Sequence, residues 1–227
     1  MTERDGQRAN ASSPCFAHEL ELTEEGYQVV DPEQARDVAR WRKAERERLI
    51  AARLEVPAEE RKRVADEVAA ELDALIEPRP GLVVSLYWPF RGELDLRGWM
   101  RTAVERGLGV ALPIVRAKGQ PLCFREWTPG CRMERGVWNI PAPAETAEVT
   151  PGVTIAPLVG FDEGCYRLGY GGGFFDRTLA ALSPRPRVIG VGLPEAQLAT
   201  IYPQPHDIPM DVIVTGAGRV VRRDGSR

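Results

Sequence analysis

The chain is short of the residues from which metal sites and disulfide frameworks are built. Its 227 residues include four cysteines and two histidines. The cysteines, at positions 15, 123, 131 and 165, form no CxxC pair. A structural zinc site is therefore not expected, and reduced thiols are typical of a cytoplasmic protein.

A long hydrophobic run is also missing. A membrane span needs about 18–20 apolar residues, whereas the longest candidate, Leu82–Phe90, contains Ser85 and Pro89. The polar N-terminus has no apolar segment of the kind found in secretory signals. We therefore expect no association with a membrane.

Neither sign of charge dominates. The formal net charge is −3, from 30 Lys and Arg against 33 Asp and Glu, so the overall charge does not favour nucleic-acid binding. The hydrophobic fraction of 43% is that of a globular protein with a sizeable core. The length suits one α/β domain with an appended arm.

Residues 1–37 carry no clear hydrophobic period and are rich in polar residues. We predict a partly irregular N-terminal arm over this range. Residues 38–227 are predicted to form a single α/β domain.

Helical and strand-like patterns alternate through the domain. Helices are predicted at Pro32–Leu54, from Pro57 to about Pro78, at Leu96–Arg106 and at Phe174–Leu182. Strands are predicted at Leu82–Tyr87, Leu108–Leu112, Pro121–Trp127, Val153–Val159, Arg187–Leu193 and Asp211–Thr215, and Thr128–Pro151 is interpreted as a loop. This alternation predicts a mostly parallel sheet flanked by helices on both faces.

A glycine-rich segment, Gly160–Arg177, follows one of the predicted strands. Successive backbone N–H groups in such a loop form a concave site for an anion, and the helix predicted from Phe174 adds its positive end. Arg167 can add a charge-assisted bond to a phosphate, and Asp176 can bind a divalent cation. The segment has neither a Walker sequence nor the full GxGxxG order, so its spacing alone leaves a flexible turn equally open.

The string Phe161–Arg177, FDEGCYRLGYGGGFFDR, resembles the signature of the 5-formyltetrahydrofolate cyclo-ligase family. Further blocks agree with that family in order and spacing. They are the basic segment Arg42–Arg46, GELD at Gly92–Asp95, WNIPAP at Trp138–Pro143, and His206–Asp207 followed by Asp211–Thr215. The resemblance covers about Arg42 to Thr215.

The resemblance implies the fold and the reaction of that family. The fold is the cyclo-ligase fold, which is NagB-RpiA-CoA-transferase-like. The activity is the ATP-dependent conversion of 5-formyltetrahydrofolate to 5,10-methenyltetrahydrofolate, with release of ADP and phosphate. The formyl oxygen is phosphorylated and thereby becomes a good leaving group. The implied partners are folate, ATP and Mg²⁺, and a monomer is favoured.

The resemblance also implies roles for individual residues. ATP is expected to contact Arg42, Arg46, Arg167, Leu168, Gly169, Gly171, Gly172, Gly173, Phe174 and Phe175. The folate is expected to contact Arg46, Trp88, Glu93, Trp138, Tyr170, Gly171 and Gly172. Arg167 and Tyr170 are the implied catalytic residues, and Asp176 and Asp207 the implied metal ligands.

Plainer interpretations stay open for several of these residues. Glu93 could cap a turn, Trp88 and Trp138 could be ordinary core or rim aromatics, and Asp207 could form a turn between prolines. Phenylalanines at 174 and 175 replace a tyrosine pair that is frequent in the family. The alternative function is a non-catalytic folate- or nucleotide-binding protein on the same scaffold. An isomerase or transferase acting on a sugar phosphate or CoA ester rests on fold analogy alone.

Overall fold

The part of the chain that is described, residues 20–23, 26–29 and 32–223 of a computed structural model, divides into two units. The first unit covers residues 1–43 and the second covers residues 44–227. In the first unit, strand β1 (Leu20–Thr23) pairs antiparallel with β2 (Gly26–Val29). These two strands were not predicted from the sequence. The rest of the predicted arm up to residue 31 lies outside the described residues.

The described helices agree with the predicted ones to within a few residues. They are α1 (Pro32–Glu55), α2 (Ala58–Leu75), α3 (Arg97–Glu105) and α4 (Phe174–Ala181). Pro57 stands just before α2, where its fixed φ favours helix initiation and no hydrogen bond is lost. None of the described helices combines the length and hydropathy that a membrane crossing requires.

The strands of the second unit include all six that the sequence predicted. In chain order they are β3 (Val83–Ser85), β4 (Gly109–Ile114), β5 (Cys123–Glu126), β6 (Met133–Arg135), β7 (Pro141–Pro143), β8 (Val153–Pro157), β9 (Gly160–Phe161), β10 (Arg167–Leu168), β11 (Arg187–Val191), β12 (Val212–Val214) and β13 (Val220–Arg222).

Seven of these strands form one sheet in the order β13-β12-β11-β8-β3-β4-β5. The five central strands are parallel, and β13 and β5 pair antiparallel at the two edges. Strands β8 and β11 are buried almost throughout, and their successive side chains face opposite sides of the sheet. Ile155 and Ile189 face the core cluster that contains α2 and α3, whereas Ala156 and Val188 face the cluster that contains α4. The predicted mostly parallel sheet with helices on both faces is confirmed.

The strand order reverses at β3. The chain passes from β3 through α3 to β4, and then places β8 on the other side of β3, where Val84 pairs with Val153. In open α/β sheets, a ligand crevice forms where such a reversal brings two strand ends together at the carboxyl edge. The segments that follow β3 and β8 carry most of the predicted site.

The interpretation of Thr128–Pro151 as a loop is wrong in part. The strands β6 and β7 form a hairpin within it, with Glu134 opposite Ala142. Prolines at both ends of β7 hide the strand from sequence reasoning, because proline cannot donate to a ladder and is depleted in strands. The short ladder of β9 and β10 and the edge strand β13 were also missed.

Candidate functional site

The glycine-rich segment begins with a tight hairpin. Strands β9 and β10 pair antiparallel, and the turn between them is held by the buried carboxylate of Asp162. Its Oδ1 accepts a hydrogen bond from the Tyr166 N–H at 3.1 Å, and its Oδ2 accepts one from the Ile201 N–H at 3.0 Å. Asp162 therefore fixes the turn that delivers the chain to Arg167.

Two glycines of the loop have conformations that favour glycine. Gly171 and Gly173 have φ values of +88° and +61°, in the left-handed region where a Cβ is disfavoured. Gly173 stands directly before α4, and a Cβ there would lie 2.7 Å from the Arg177 Nη1. The loop is therefore a defined turn into the first turn of a helix.

Arg167 is buried at the base of the loop. Its Nη1 donates to the Pro157 carbonyl oxygen at 3.3 Å, and its Nη2 lies 3.9 Å from Asp176 Oδ2. The guanidinium stacks over the Phe175 ring at 4.5 Å. Burial lowers the pKa of Arg167, and the nearby carboxylates of Asp176, Asp207 and Glu93 oppose that effect.

One donor of Arg167 has no acceptor. The Nε atom is buried without a hydrogen-bond partner, although a buried donor left unpaired costs about 1–3 kcal/mol. A guanidinium with a spare donor beside a glycine-rich turn matches the oxygens of an anionic ligand such as a phosphate.

Two segments form the site, the glycine-rich segment, which we call the loop wall, and the segment after β3, which we call the Glu93 wall. Glu93 is buried, its Oε2 accepts a hydrogen bond from the Phe90 N–H at 2.9 Å, and its Oε1 accepts one from the Tyr170 hydroxyl at 3.0 Å. The bond to Phe90 closes a turn, as the plainer interpretation expected. The bond to Tyr170 joins this wall to the glycine-rich loop.

The protonation equilibrium of the Glu93 carboxyl is strongly shifted. Burial raises the pKa of its carboxyl to about 7, against the opposing effects of Arg53, the Phe90 N–H, Tyr170 and Arg167. Although 41% of Tyr170 is exposed, its hydroxyl lies against Glu93 and Arg53, and desolvation there raises the pKa of this hydroxyl, with a further contribution from Glu93. A buried carboxyl that titrates near neutrality within a cleft is a candidate for substrate binding or catalysis.

Arg53 belongs to the site but was not predicted from the sequence. Its Nη2 donates to the Tyr170 hydroxyl at 2.5 Å, and its side chain is buried. The signal was present in the sequence, because Arg53 follows Arg46 by seven residues, which places both on one face of a helix. Arg46 itself donates from Nε to the Gly169 carbonyl oxygen at 2.7 Å.

Arg42 lies in the other unit of the chain, and its expected contact with ATP stays a prediction. The expected contacts of Leu168 and Gly172 do so as well. Leu168 is buried with Leu49 and Ile201 in a small cluster behind the loop. The Gly172 carbonyl accepts a hydrogen bond from Arg177.

The aromatic residues divide between the rim and the core. Trp138 is 59% exposed at the tip of the β6–β7 hairpin, and its ring meets the edge of Phe174 at a centroid distance of 5.7 Å. Trp88 packs against the main core, with the Arg97 guanidinium 5.1 Å from its ring. A role for either tryptophan in folate binding stays a prediction.

The two predicted metal ligands both lie near Arg167. Asp176 Oδ1 accepts a hydrogen bond from the Ile208 N–H at 3.3 Å, and Asp207 Oδ2 accepts one from the Gln204 N–H at 2.7 Å. Within the described part of the chain, no three His, Cys, Asp or Glu side chains are grouped as a metal site. Mg²⁺ bound with a nucleotide needs only one or two carboxylates in addition to phosphate oxygens and water, so this pair fits such an ion.

Comparison with known families gives one match that covers most of the chain. The model of the 5-formyltetrahydrofolate cyclo-ligase family matches residues 38–216. A 5-formyltetrahydrofolate cyclo-ligase of Mycolicibacterium smegmatis is 33% identical over 143 residues, which are 60% of this chain and 74% of the relative. One from Haemophilus influenzae is 28% identical over 149 residues, 63% of this chain and 80% of that protein.

Solved structures resemble the fold as well. The NMR structure of Aquifex aeolicus 5,10-methenyltetrahydrofolate synthetase superimposes with a TM-score of 0.70 at 28% identity, covering 82% of this chain and 94% of that chain. A 5,10-methenyltetrahydrofolate synthetase from Mycoplasma pneumoniae superimposes with a TM-score of 0.63 at 21% identity, over 76% of this chain and 97% of that one.

Proposed function

Since the chain belongs to the 5-formyltetrahydrofolate cyclo-ligase family, we propose that the crevice at the strand-order reversal closes 5-formyltetrahydrofolate to 5,10-methenyltetrahydrofolate, with ATP as the second substrate. The protein is a ligase. The observation that carries the proposal is the hydrogen bond from the Tyr170 hydroxyl to Glu93 Oε1 at 3.0 Å, which joins the segment after β3 to the glycine-rich loop that contains Arg167. The comparisons give no support to the non-catalytic alternative.

The loop wall suits the phosphates of ATP. Arg167 supplies a buried positive charge with an unpaired Nε donor. Gly171 and Gly173 open the backbone for close approach of an anion. Arg46 braces this wall through the Gly169 carbonyl, so the loop is organised before a nucleotide arrives.

The Glu93 wall suits the folate. A carboxylate accepts hydrogen bonds from the N–H groups of a pterin ring, and burial strengthens such bonds because water does not compete. The Tyr170 hydroxyl donates to Glu93, and the Tyr170 ring lies 6.0 Å from the Phe90 ring between centroids, tilted by 58°. We infer that these two side chains bind the folate beside the phosphates.

The proposed reaction has two steps. The formyl oxygen attacks the γ-phosphorus, the bond from phosphorus to the ADP oxygen breaks, and ADP leaves. The adjacent folate nitrogen then attacks the activated carbon, the carbon–oxygen bond breaks with phosphate as the leaving group, and the nitrogen loses its proton. The contribution of this chain is positioning and charge stabilisation, with Arg167 beside the transferred phosphoryl group.

We also propose that Asp176 and Asp207 hold Mg²⁺ with the nucleotide. Both carboxylates influence the same buried guanidinium, that of Arg167. When bound, the ion neutralises charge on the phosphates. Replacing Asp207→Asn is expected to raise the Mg²⁺ concentration at half-maximal turnover by about tenfold or more. An unchanged Mg²⁺ dependence in both Asp207→Asn and Asp176→Asn would contradict the assignment.

A monomer in the cytoplasm is proposed with the activity. Cys123 and Cys131 are free thiols in the described part of the chain, as in proteins of a reducing compartment. Sedimentation at micromolar concentration tests the monomer, and a dimer under those conditions would overturn it.

A spectrophotometric assay tests the function directly. Absorbance of the methenyl folate should rise only when 5-formyltetrahydrofolate, ATP and Mg²⁺ are all present. ADP should accumulate in equal amount. Folded protein that binds both substrates without turnover would instead support the non-catalytic alternative.

A further inference from the structure

Arg53 is a buried arginine to which neither the sequence motifs nor the proposed reaction gives a role. It lies near the C-terminal end of α1 and is 7% exposed. Burial of a guanidinium is costly unless its donors are paired with good geometry. The pairing that offsets this cost connects three separate segments of the crevice.

Each of the three nitrogens of Arg53 has a different partner. Nε donates to the Arg91 carbonyl oxygen at 2.9 Å, on the segment that carries Glu93. Nη1 donates to the Leu158 carbonyl oxygen at 3.2 Å, immediately after β8. Nη2 donates to the Tyr170 hydroxyl at 2.5 Å, in the glycine-rich loop. One side chain therefore ties together the segments after β3 and β8 and the loop.

The contact with Tyr170 determines what that hydroxyl can do. The oxygen accepts a hydrogen bond from Arg53, and its own proton is then directed to Glu93 Oε1 at 3.0 Å. The guanidinium also lies 5.8 Å from the centre of the Tyr170 ring. Without Arg53, the Tyr170 hydroxyl would lose a hydrogen-bond donor and the Tyr170 ring would lose its contact with a cation. The side chain would then be free to turn towards solvent.

We propose that Arg53 is a positioning residue for the ligase reaction, acting through Tyr170 to orient the Glu93 carboxylate that receives the folate. The inference rests on the proposed function. Helix α1 would then support both parts of the site, the Glu93 wall through Arg53 and the loop wall through Arg46.

Arg53 also acts on Glu93 directly through its charge. The groups that face its carboxyl are Arg53 from α1, the Phe90 N–H from its own segment, Tyr170 from the loop and Arg167 from β10. All four favour the ionised form, and Arg53 has the largest favourable effect. Burial raises the pKa of the nearby Tyr87, and the charges of Glu93 and Asp95 add to this effect. Removal of Arg53 should therefore keep Glu93 protonated to higher pH.

The test measures kcat and KM for the folate against pH in Arg53→Met, Arg53→Lys, Tyr170→Phe and the double variant Arg53→Met/Tyr170→Phe. Arg53→Met is expected to lower kcat/KM for the folate by about 10- to 100-fold, the range for loss of a hydrogen bond to a charged group, with KM for ATP little changed. The acidic limb of the pH profile should move to higher pH. Arg53→Lys should return the acidic limb of the pH profile part of the way to that of the unmodified protein, because lysine keeps the positive charge but lacks the planar guanidinium.

The double variant separates action through Tyr170 from independent action. If Arg53 works through Tyr170, Tyr170→Phe should cause little further loss in the Arg53→Met background, and the double variant should resemble Arg53→Met alone. Losses that multiply would overturn the inference. So would a wild-type pH profile in Arg53→Met.

Arg187→Met is the matched control for a merely structural effect. Arg187 is a half-buried arginine that also donates to a backbone carbonyl, that of Leu75, but it lies at the amino end of β11. Its loss should lower the unfolding temperature without moving the pH limb. If Arg53→Met does not fold, Arg53→Lys and Tyr170→Phe still report the limb. Absence of turnover in the unmodified protein would contradict the proposed function and leave these comparisons without a reference.

Discussion

Arg167 differs from Arg53, another buried arginine of the crevice, because its Nε donor has no acceptor. Arg53 uses all three nitrogens, whereas Arg167 Nε is buried and unpaired. Burying a donor without an acceptor costs free energy, and this cost is offset when a bound anion accepts the hydrogen bond. Arg167 is therefore expected to contribute more to catalysis than to stability.

Arg167→Ala should leave the fold intact and impair the use of ATP. Loss of a preorganised charged donor lowers kcat by about 10²–10³-fold in comparable sites, and KM for ATP should rise. Steady-state kinetics and circular dichroism measure the two effects. Arg185→Ala, which removes an exposed arginine bonded to the Pro209 carbonyl, is the control. An Arg167→Ala protein that fails to fold would show that the arginine is structural.

Glu93 should make the stability of the protein depend on pH. Its folded pKa of about 7 lies above that of an unfolded glutamate. The folded state therefore holds a proton that the unfolded state has released, and stability falls as pH rises from about 4.5 to about 7. At 1.36 kcal/mol per pKa unit, the loss is roughly 3 kcal/mol.

Denaturation of the protein and of Glu93→Gln at several pH values measures this effect. The difference in unfolding free energy between the two should decrease across that pH window and then level off, because glutamine does not titrate. A difference that stays constant would mean that the Glu93 pKa is not raised.

The sequence predicted the charged residues of the site better than their connections. Glu93, Arg167 and Tyr170 could be named because they stand within recognisable motifs. Arg53 was missed because it lies outside any motif and its contacts reach residues 38, 105 and 117 positions away, although its spacing of seven from Arg46 indicated a shared helix face. Its role depends on tertiary contacts that local sequence does not encode.

At the scale of single elements, the turn into α4 is the most constrained part of the site. Gly173→Ala places a Cβ at a φ of +61° and 2.7 Å from Arg177 Nη1. The left-handed conformation alone costs a non-glycine residue about 1–2 kcal/mol, and the displaced arginine would release the Gly172 carbonyl that it binds. We expect a lower unfolding temperature and a raised KM for ATP.

Gly98→Ala is the control for that substitution. Gly98 lies in α3, and nothing lies within 4 Å of a Cβ built there. Alanine favours a helix over glycine by about 0.5–1 kcal/mol, so this variant should be as stable as the parent or more so, with unchanged kinetics. Equal behaviour of the two variants would contradict a special conformation at Gly173.

The elements with a clear hydrophobic period were predicted, and those without one were missed. Helix α2 has Val64, Val68 and Leu72 on one buried stripe, which is the signal of an amphipathic helix. In the β6–β7 hairpin, by contrast, two residues at the tip, Trp138 and Asn139, have positive φ. No alternation of apolar residues marks the strands on either side, so only turn signals could be recognised there.

At the scale of the whole molecule, the site depends on the second unit. Arg46, Arg53, Glu93 and Arg167 all fall within residues 44–227, and the family match starts at residue 38. A chain of residues 32–227 keeps α1 complete, including Arg42. Its kcat/KM should agree with that of the full chain within about twofold, as is common when terminal segments carry no site residues.

Assays of both chains at equal concentration test this expectation. A loss of turnover greater than tenfold, with the same circular dichroism spectrum, would show that residues 1–31 take part in the reaction.

The strand order explains why the site lies where it does. The reversal at β3 places the segments of Glu93 and Arg167 side by side, although they are far apart in the chain.

The exposed tryptophan at the tip of the β6–β7 hairpin allows ligand binding to be tested by intrinsic fluorescence. Trp138 is 59% exposed, whereas Trp99 and Trp127 are buried in the core. Acrylamide in solution therefore quenches the emission of Trp138 first. We expect a ligand that covers both Phe174 and Trp138, whose ring centres lie 5.7 Å apart, to shield Trp138 from the quencher, so unlabelled fluorescence would test whether a substrate binds there.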